Sequence, residues 1–213
     1  MNSRRRQTIE RGTGGAPLSE RRAEVKRTTN ETDIAVTLDL DGQGVADVAT
    51  GIGFLDHMLV LFAHHGGFDL TVRASGDLDV DGHHTVEDIG LTLGQALREA
   101  LGDKRGIRRY GSFLLPMDEA LAMVALDLSG RPYFVHELQL AGVRIGAFDA
   151  DLTPHFFRSL ATQSGMTLHV RLLAGSDAHH IVEAVFKAFA RALAQACEQH
   201  GRGGEVPSTK GTL

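Results

Sequence analysis

His83-His84-Thr85-Val86-Glu87 returns 96 residues later as His179-His180-Ile181-Val182-Glu183. Each copy opens a long run of apolar residues at helical spacing, over 83–101 and 178–199. Upstream of each lies the same order of elements. In the first half a helix over 54–65 carries His57, and a strand over 68–73 and a loop lead to the His-His pair. In the second half a helix over 152–163 carries His155, and a strand over 166–172 and a loop do the same. His57 precedes its pair by 26 residues and His155 precedes its pair by 24. Repeated elements in one order predict a duplicated α/β unit, α+β in arrangement, each copy a sheet packed on helices in two layers. The pseudo-repeats run over about 22–110 and 111–200. Further strands are expected at 34–40, 112–115, 121–128 and 133–138, with 45–50 returning after an Asp41-Gly42-Gln43-Gly44 turn.

The motif has a chemical logic. His and Glu four apart share a helix face, so His83 with Glu87, and His179 with Glu183, can each grip one divalent ion. The second histidine is rotated by about 100° and points elsewhere. Two helices of this kind predict two sites, each taking the His/Glu pair of one half and the second His of the other. His57 and His155, at equivalent places in the repeat, complete them. One site is His57, His84, His179 and Glu183; the other is His155, His180, His83 and Glu87. Three imidazoles and a carboxylate with open positions suit Mn, Fe, Co, Ni or Zn. One such motif alone is weak; two in register are not. His64 and His65 lie one to two turns beyond His57 and one of them could reach its site, whereas His136, His169 and His200 are read as structural or exposed.

Composition bounds the alternatives. The chain has 213 residues, 42% of them hydrophobic, enough for one good core or two small halves. Its longest apolar runs, Met58–Ala63 and Ala120–Leu126, fall far short of the ~18 residues of a membrane span. Net charge is −5, but residues 1–27 carry eight Lys/Arg against three Glu. The acidic remainder argues against nucleic acid as a partner. The arm over 1–21 reads as flexible and basic, without the apolar segment of a secretory signal. Cys197 is the single cysteine and fits a reducing, cytoplasmic address. Arg109, Arg131 and the Ser208-Thr209-Lys210-Gly211 segment offer cations and backbone N–H groups to a small anion such as phosphate. Glu31, just before a strand, reads equally as a base or a surface acid. Met117-Asp118-Glu119 reads as a turn.

Together with Phe54-Leu55-Asp56-His57-Met58, Asp127-Leu128-Ser129-Gly130-Arg131-Pro132-Tyr133 and Pro207-Ser208-Thr209-Lys210-Gly211, these motifs resemble the imidazoleglycerol-phosphate dehydratase family over about residues 22–213. The length is similar to the monofunctional form. The resemblance implies halves of the ribosomal-protein-S5-domain-2-like type and a hydro-lyase of histidine biosynthesis. Its reaction converts D-erythro-imidazole-glycerol phosphate to imidazole-acetol phosphate and water. It implies two Mn(II) ions per subunit, held by the two ligand sets above. It makes Glu31 the acid/base group and Glu183 a second catalytic carboxylate. Substrate contacts fall on Glu31, His57, His65, His83, Glu87, Arg109, Arg131, His179, Thr209, Lys210 and Gly211. It implies trimers assembled into a 24-subunit shell. Asp177 departs from the Asn that the family often places before the second His-His pair. A dinuclear hydrolase and a metal-storage shell are the rival readings. The first wants bridging Asp ligands that the symmetric positions lack, and the second has no need of Arg109, Arg131 or Lys210.

Overall fold

A computed structural model of the chain describes residues 21–200 and 205–211. The expected basic arm therefore lies outside the described residues apart from Arg21. The first half runs β1 (Arg22–Thr28), β2 (Thr32–Asp39), β3 (Ala46–Ala49), α1 (Gly53–Gly66), β4 (Asp69–Gly76) and α2 (His83–Leu101). The second runs β5 (Tyr110–Met117), β6 (Ala120–Asp127), β7 (Tyr133–Glu137), a short hairpin β8 (Arg144–Ile145) and β9 (Phe148–Asp149), α3 (Leu152–Ser164), β10 (Thr167–Ala174) and α4 (Ala178–Cys197).

The duplication is exact at the level of topology. The sheet orders are β1-β2-β4-β3 and β5-β6-β10-β7. In each, one strand is parallel: β3 to β4, and β7 to β10. The alternation that marks β2 puts Ile34, Val36 and Leu38 fully inside. Ala122 and Val124 of β6, with Leu126, do the same in the second half. α1 and α3 stop at Gly67 and Gly165, both left-handed, each returning its N–H to the carbonyl of Ala63 or Ala161. The expected return of 45–50 beside β2 is not what forms. Asp69 Oδ1 accepts from the N–H groups of Gln43 (2.8 Å) and Val45 (2.9 Å), so the turn is tied to the start of β4 and β3 pairs there.

Each half is a sheet with two helices on one face. The halves are joined through their helices: α2 packs on α3, and α1 on α4. Four helices thus lie between two sheets, and each helix touches its own sheet on one side and a helix of the other half on the other. Phe62 of α1 stacks on Phe189 of α4 at 5.7 Å, and Phe157 of α3 meets the same ring at 5.2 Å. The α2–α3 contact needs small residues. A Cβ on Gly90 would stand 2.7 Å from the Phe156 carbonyl oxygen, and one on Gly94 would stand 2.6 Å from that of Leu160. A backbone oxygen cannot rotate away, so a side chain there must push α3 off α2. Gly94→Val is expected to cost about 1–3 kcal/mol in urea unfolding. Gly53→Ala, whose Cβ meets nothing within 4 Å, is the matched control and should be neutral.

Candidate functional site

The crosswise helix packing builds the site. His57 arrives from α1 of the first half; His179 and Glu183 arrive from the first turns of α4 in the second. Their ligand atoms lie within 4.8 Å of one another. His57 Nε2 is 3.3 Å from Glu183 Oε2, and His179 Nε2 is 3.1 Å from the same oxygen. Both imidazoles are half-exposed, whereas the Glu183 side chain is only 9% exposed. Burial works to raise the Glu183 carboxyl, but Lys187 and His57 outweigh it and hold it below the ordinary value. Lys187 Nζ sits 2.6 Å from Glu183 Oε1, one turn along α4. Two imidazoles and a carboxylate aimed at one point are a donor set that fits a divalent transition metal.

The reciprocal pair is present too. His83 on α2 and His155 on α3 meet ring to ring, 4.7 Å between centroids. Glu87, one turn beyond His83, is half-buried on the same helix. The second histidine of each motif turns elsewhere, as the 100° rotation requires. His84 Nδ1 is 2.9 Å from Asp77 Oδ2 and 3.7 Å from Glu31. His180 Nδ1 is 2.8 Å from Glu119 Oε2, and its Nε2 is 3.7 Å from Asp118. Within one chain, then, each expected set is split: His84 stands apart from the trio around Glu183, and His180 faces acids rather than His83 and His155.

Carboxylate partners raise both imidazoles. Asp77 is the main cause for His84, and Glu119 for His180. Glu119 is itself pulled down to about 2, chiefly by the Asp177 N–H, then by His180 and the Ser176 N–H. The sign follows. A raised histidine stabilises the metal-free fold at low pH, and that contribution is lost as pH rises through its folded value. Metal needs the neutral ring, so the proton competes with it. Affinity for any divalent metal that uses these rings should therefore begin to fall on acidification above the ordinary imidazole value of about 6.5. A calorimetric titration of metal between pH 8 and pH 5.5 should show it, and a flat profile would contradict it. His65, at the end of α1, is shifted the other way, by burial first and then by Lys187.

Glu31 sits at the tip of the β1–β2 hairpin, half-exposed. Thr29 Oγ1 accepts from the N–H groups of Glu31 (3.1 Å) and Thr32 (3.0 Å) and shapes the tip. Asp88, buried on α2, accepts from Arg27 Nε (2.7 Å) and from the Thr32 hydroxyl. The hairpin is thereby fixed to the helix that carries His84.

The anion candidates occupy a separate cluster. Arg109, buried and at φ 74°, holds Asp127 through Nε (2.6 Å) and Nη2 (3.0 Å), and gives Nη1 to the Pro207 carbonyl (2.9 Å). Its guanidinium thus ties the tail to Asp127. Thr209, Lys210 and Gly211 follow, exposed, at the end of that anchored segment. Arg131 is 70% exposed, with Nη2 4.0 Å from Asp127. Asp127 links the three candidates to one end of the β5–β6 hairpin. Lys187 and Asp77 escaped the sequence reading, and Asp118 and Glu119 entered it only as part of a turn. Lys187 carried the only usable signal, four residues beyond Glu183 on one helix face.

Residues 50–193 match the model of the imidazoleglycerol-phosphate dehydratase family. The chain belongs to that family. It is 55% identical over 194 residues to the imidazoleglycerol-phosphate dehydratase of Acetivibrio thermocellus, covering 91% of this chain and all of the relative. It is 58% identical over 191 residues to the chloroplastic enzyme 1 of Arabidopsis thaliana, covering 89% of this chain and 71% of that one. The crystal structure of the Pyrococcus furiosus enzyme with (S)-C348 superposes with a TM-score of 0.77 at 40% identity, covering 89% of this chain and all of the other. That of the Staphylococcus aureus enzyme gives 0.76 at 40% identity, covering 84% and 99%. The family's fold accounts for the paired four-stranded sheets, and its chemistry, a hydro-lyase step in histidine biosynthesis, agrees with a His/His/Glu group able to bind metal. No helix among the described residues is long and apolar enough to cross a membrane.

Proposed function

We propose that the chain removes water from D-erythro-imidazole-glycerol phosphate to give imidazole-acetol phosphate, using two Mn(II) ions per subunit. The observation that carries this reading is the reciprocal meeting of motifs: His57 with His179 and Glu183, and His83 with His155. His84 completes the first set and His180 the second. Within one chain both face away, so they are supplied between subunits. On this reading the chain works as a homo-oligomer, the trimers joined into a 24-subunit shell that the family resemblance implies, in a cytoplasmic setting. A cleft of about 750 Å³ beside His57, rimmed by Val80 at 67% exposure and Leu78 at 38%, leaves apolar surface for such contacts. On this reading the catalytic domain spans 22–213, tail included, and 1–21 is an appended arm.

The chemistry is demanding because the proton to be removed is not next to a carbonyl. Metal held by His57, His179 and Glu183, and by His83, His155 and Glu87, would supply Lewis-acid polarisation of the substrate imidazole. Glu31 moves the protons from its fixed hairpin tip. His57, His83, His179, Glu87 and Glu183 present the donors that orient the ring, and His65 lines the approach. Arg131, Thr209, Lys210 and the Gly211 N–H hold the phosphate, with Arg109 fixing the tail that carries the last three. Binding energy from that remote group positions the reacting end.

The test is to incubate the Mn-loaded protein with imidazole-glycerol phosphate and separate the products. Imidazole-acetol phosphate is expected, whereas release of inorganic phosphate would favour a dinuclear hydrolase. Arg131→Ala should raise KM about 10–100-fold, the worth of one charged hydrogen-bonding partner, with kcat nearly unchanged. An unchanged KM would remove Arg131 from the phosphate site.

A further inference from the structure

Glu31 and Glu119 occupy equivalent places in the two halves. Each is the last residue of a hairpin turn, immediately before β2 or β6. Each stands near the second histidine of its own half. Yet they are used differently. Glu119 is saturated: Oε1 accepts from the N–H groups of Ser176 (3.1 Å) and Asp177 (2.8 Å), and Oε2 takes His180 Nδ1 (2.8 Å). Glu31 makes no contact closer than 3.7 Å to His84 through its carboxylate.

The difference traces to the residue that follows the last strand of each sheet. After β4 it is Asp77, whose carboxylate reaches His84 Nδ1 at 2.9 Å. After β10 it is Gly175, which has no side chain to offer. At φ 143° it stands where a Cβ would fall 2.9 Å from Ile181. In the second half the hairpin glutamate must therefore orient the imidazole, and in the first it need not. Asp77 is committed to this contact: its other oxygen, Oδ1, is buried and has no hydrogen-bond partner among the described residues. A carboxylate can only accept, so the Asp77 contact holds the neutral His84 ring with its proton on Nδ1 and leaves Nε2 as the nitrogen a metal can take.

We propose that Asp77 is the positioning residue for His84, and that by taking this task it leaves the Glu31 carboxylate free for proton transfer. The proposal rests on the two-metal dehydratase reading above. Carboxylate–imidazole–metal relays of this kind fix the tautomer and the ring angle, and losing the outer carboxylate costs about 10–100-fold in metal affinity. Asp77 thus breaks the symmetry of the duplication: one half keeps a free acid at its hairpin tip, the other a locked one.

A double-mutant cycle on Mn(II) affinity tests it, read by competition with a chelating dye in the intact oligomer. Asp77→Ala is expected to weaken binding about 10–100-fold at one of the two sites. Glu31→Gln alone should leave affinity within about twofold, since Glu31 is not the partner of His84 in the parent. In the Asp77→Ala background the same Glu31→Gln change should cost a further several-fold, because Glu31 has then closed onto His84. Asp77→Asn keeps the loop's shape and an acceptor atom, and should fall between parent and Ala. Parental affinity in both Asp77 variants, or an equal Glu31→Gln effect in both backgrounds, would overturn the proposal. If the parent protein bound Mn(II) but formed no imidazole-acetol phosphate, the dehydratase reading would fall, while the cycle would still decide whether Asp77 positions His84.

Discussion

Glu31→Gln is expected to bind Mn(II) and substrate as the parent does and to lose at least about 100-fold in kcat, the usual worth of a positioned acid or base. The substitution is isosteric. It leaves the Thr29 turn intact, because that turn uses the backbone N–H of residue 31 rather than its side chain. It leaves the anchoring of the hairpin to α2 intact, because Arg27, Thr32 and Asp88 do that work. At 54% side-chain exposure Glu31 contributes little to folding stability, so a loss of turnover would report chemistry. Stopped turnover with unchanged KM and metal content is the expected pattern. Retained turnover within tenfold would take the proton-transfer role away from Glu31.

Glu183→Ala should have the larger effect on metal. Its carboxylate is the one anion in the trio, and both His57 and His179 converge on a single oxygen of it. Removing it leaves two imidazoles and no anion beside the Lys187 ammonium, which repels a dication. Loss of more than about 100-fold in affinity at that site is expected, beyond the range for a group that only orients a ligand. Metal content should fall from two to one per subunit, with turnover lost. Elemental analysis after gel filtration reads this directly. Two ions retained per subunit would mean that Glu183 is not a ligand.

Much of this was legible in the sequence, and the reason is the duplication. The repeat places His57 and His155 at equivalent points, and the i, i+4 spacing pairs His179 with Glu183. The boundaries of α2 follow from its own pattern: His83 opens it and Gly102 follows its end. What the sequence did not carry was which helix meets which. Periodicity gives each helix a buried face but no partner, and the pairing of α1 with α4 depends on the joint shape of Phe62, Phe157 and Phe189. Gly90 and Gly94 hinted at a close approach without saying to what. The strand expected at 45–50 forms as β3 but pairs with β4 rather than β2, because Asp69, 24 residues beyond Val45, fixes the turn before it. Asp77 and Glu119 were invisible for a similar reason: loop acids have no period, and only the fold brings them to His84 and His180. The tail 205–211 carries a short motif but no periodicity. Its place is set by Arg109 and by the Gly106 N–H, which donates to the Glu205 carbonyl.

On the proposed reading, two crosswise ligand sets, loaded with metal, dehydrate an imidazole-bearing phosphate. The most direct measurement is a titration of chelator-stripped protein with Mn(II), following imidazole-acetol phosphate formation at each addition. Turnover should be absent without metal, rise with loading and reach its plateau at two ions per chain. Full turnover in the stripped protein, or a plateau with metal bound and no imidazole-acetol phosphate formed, would contradict the account.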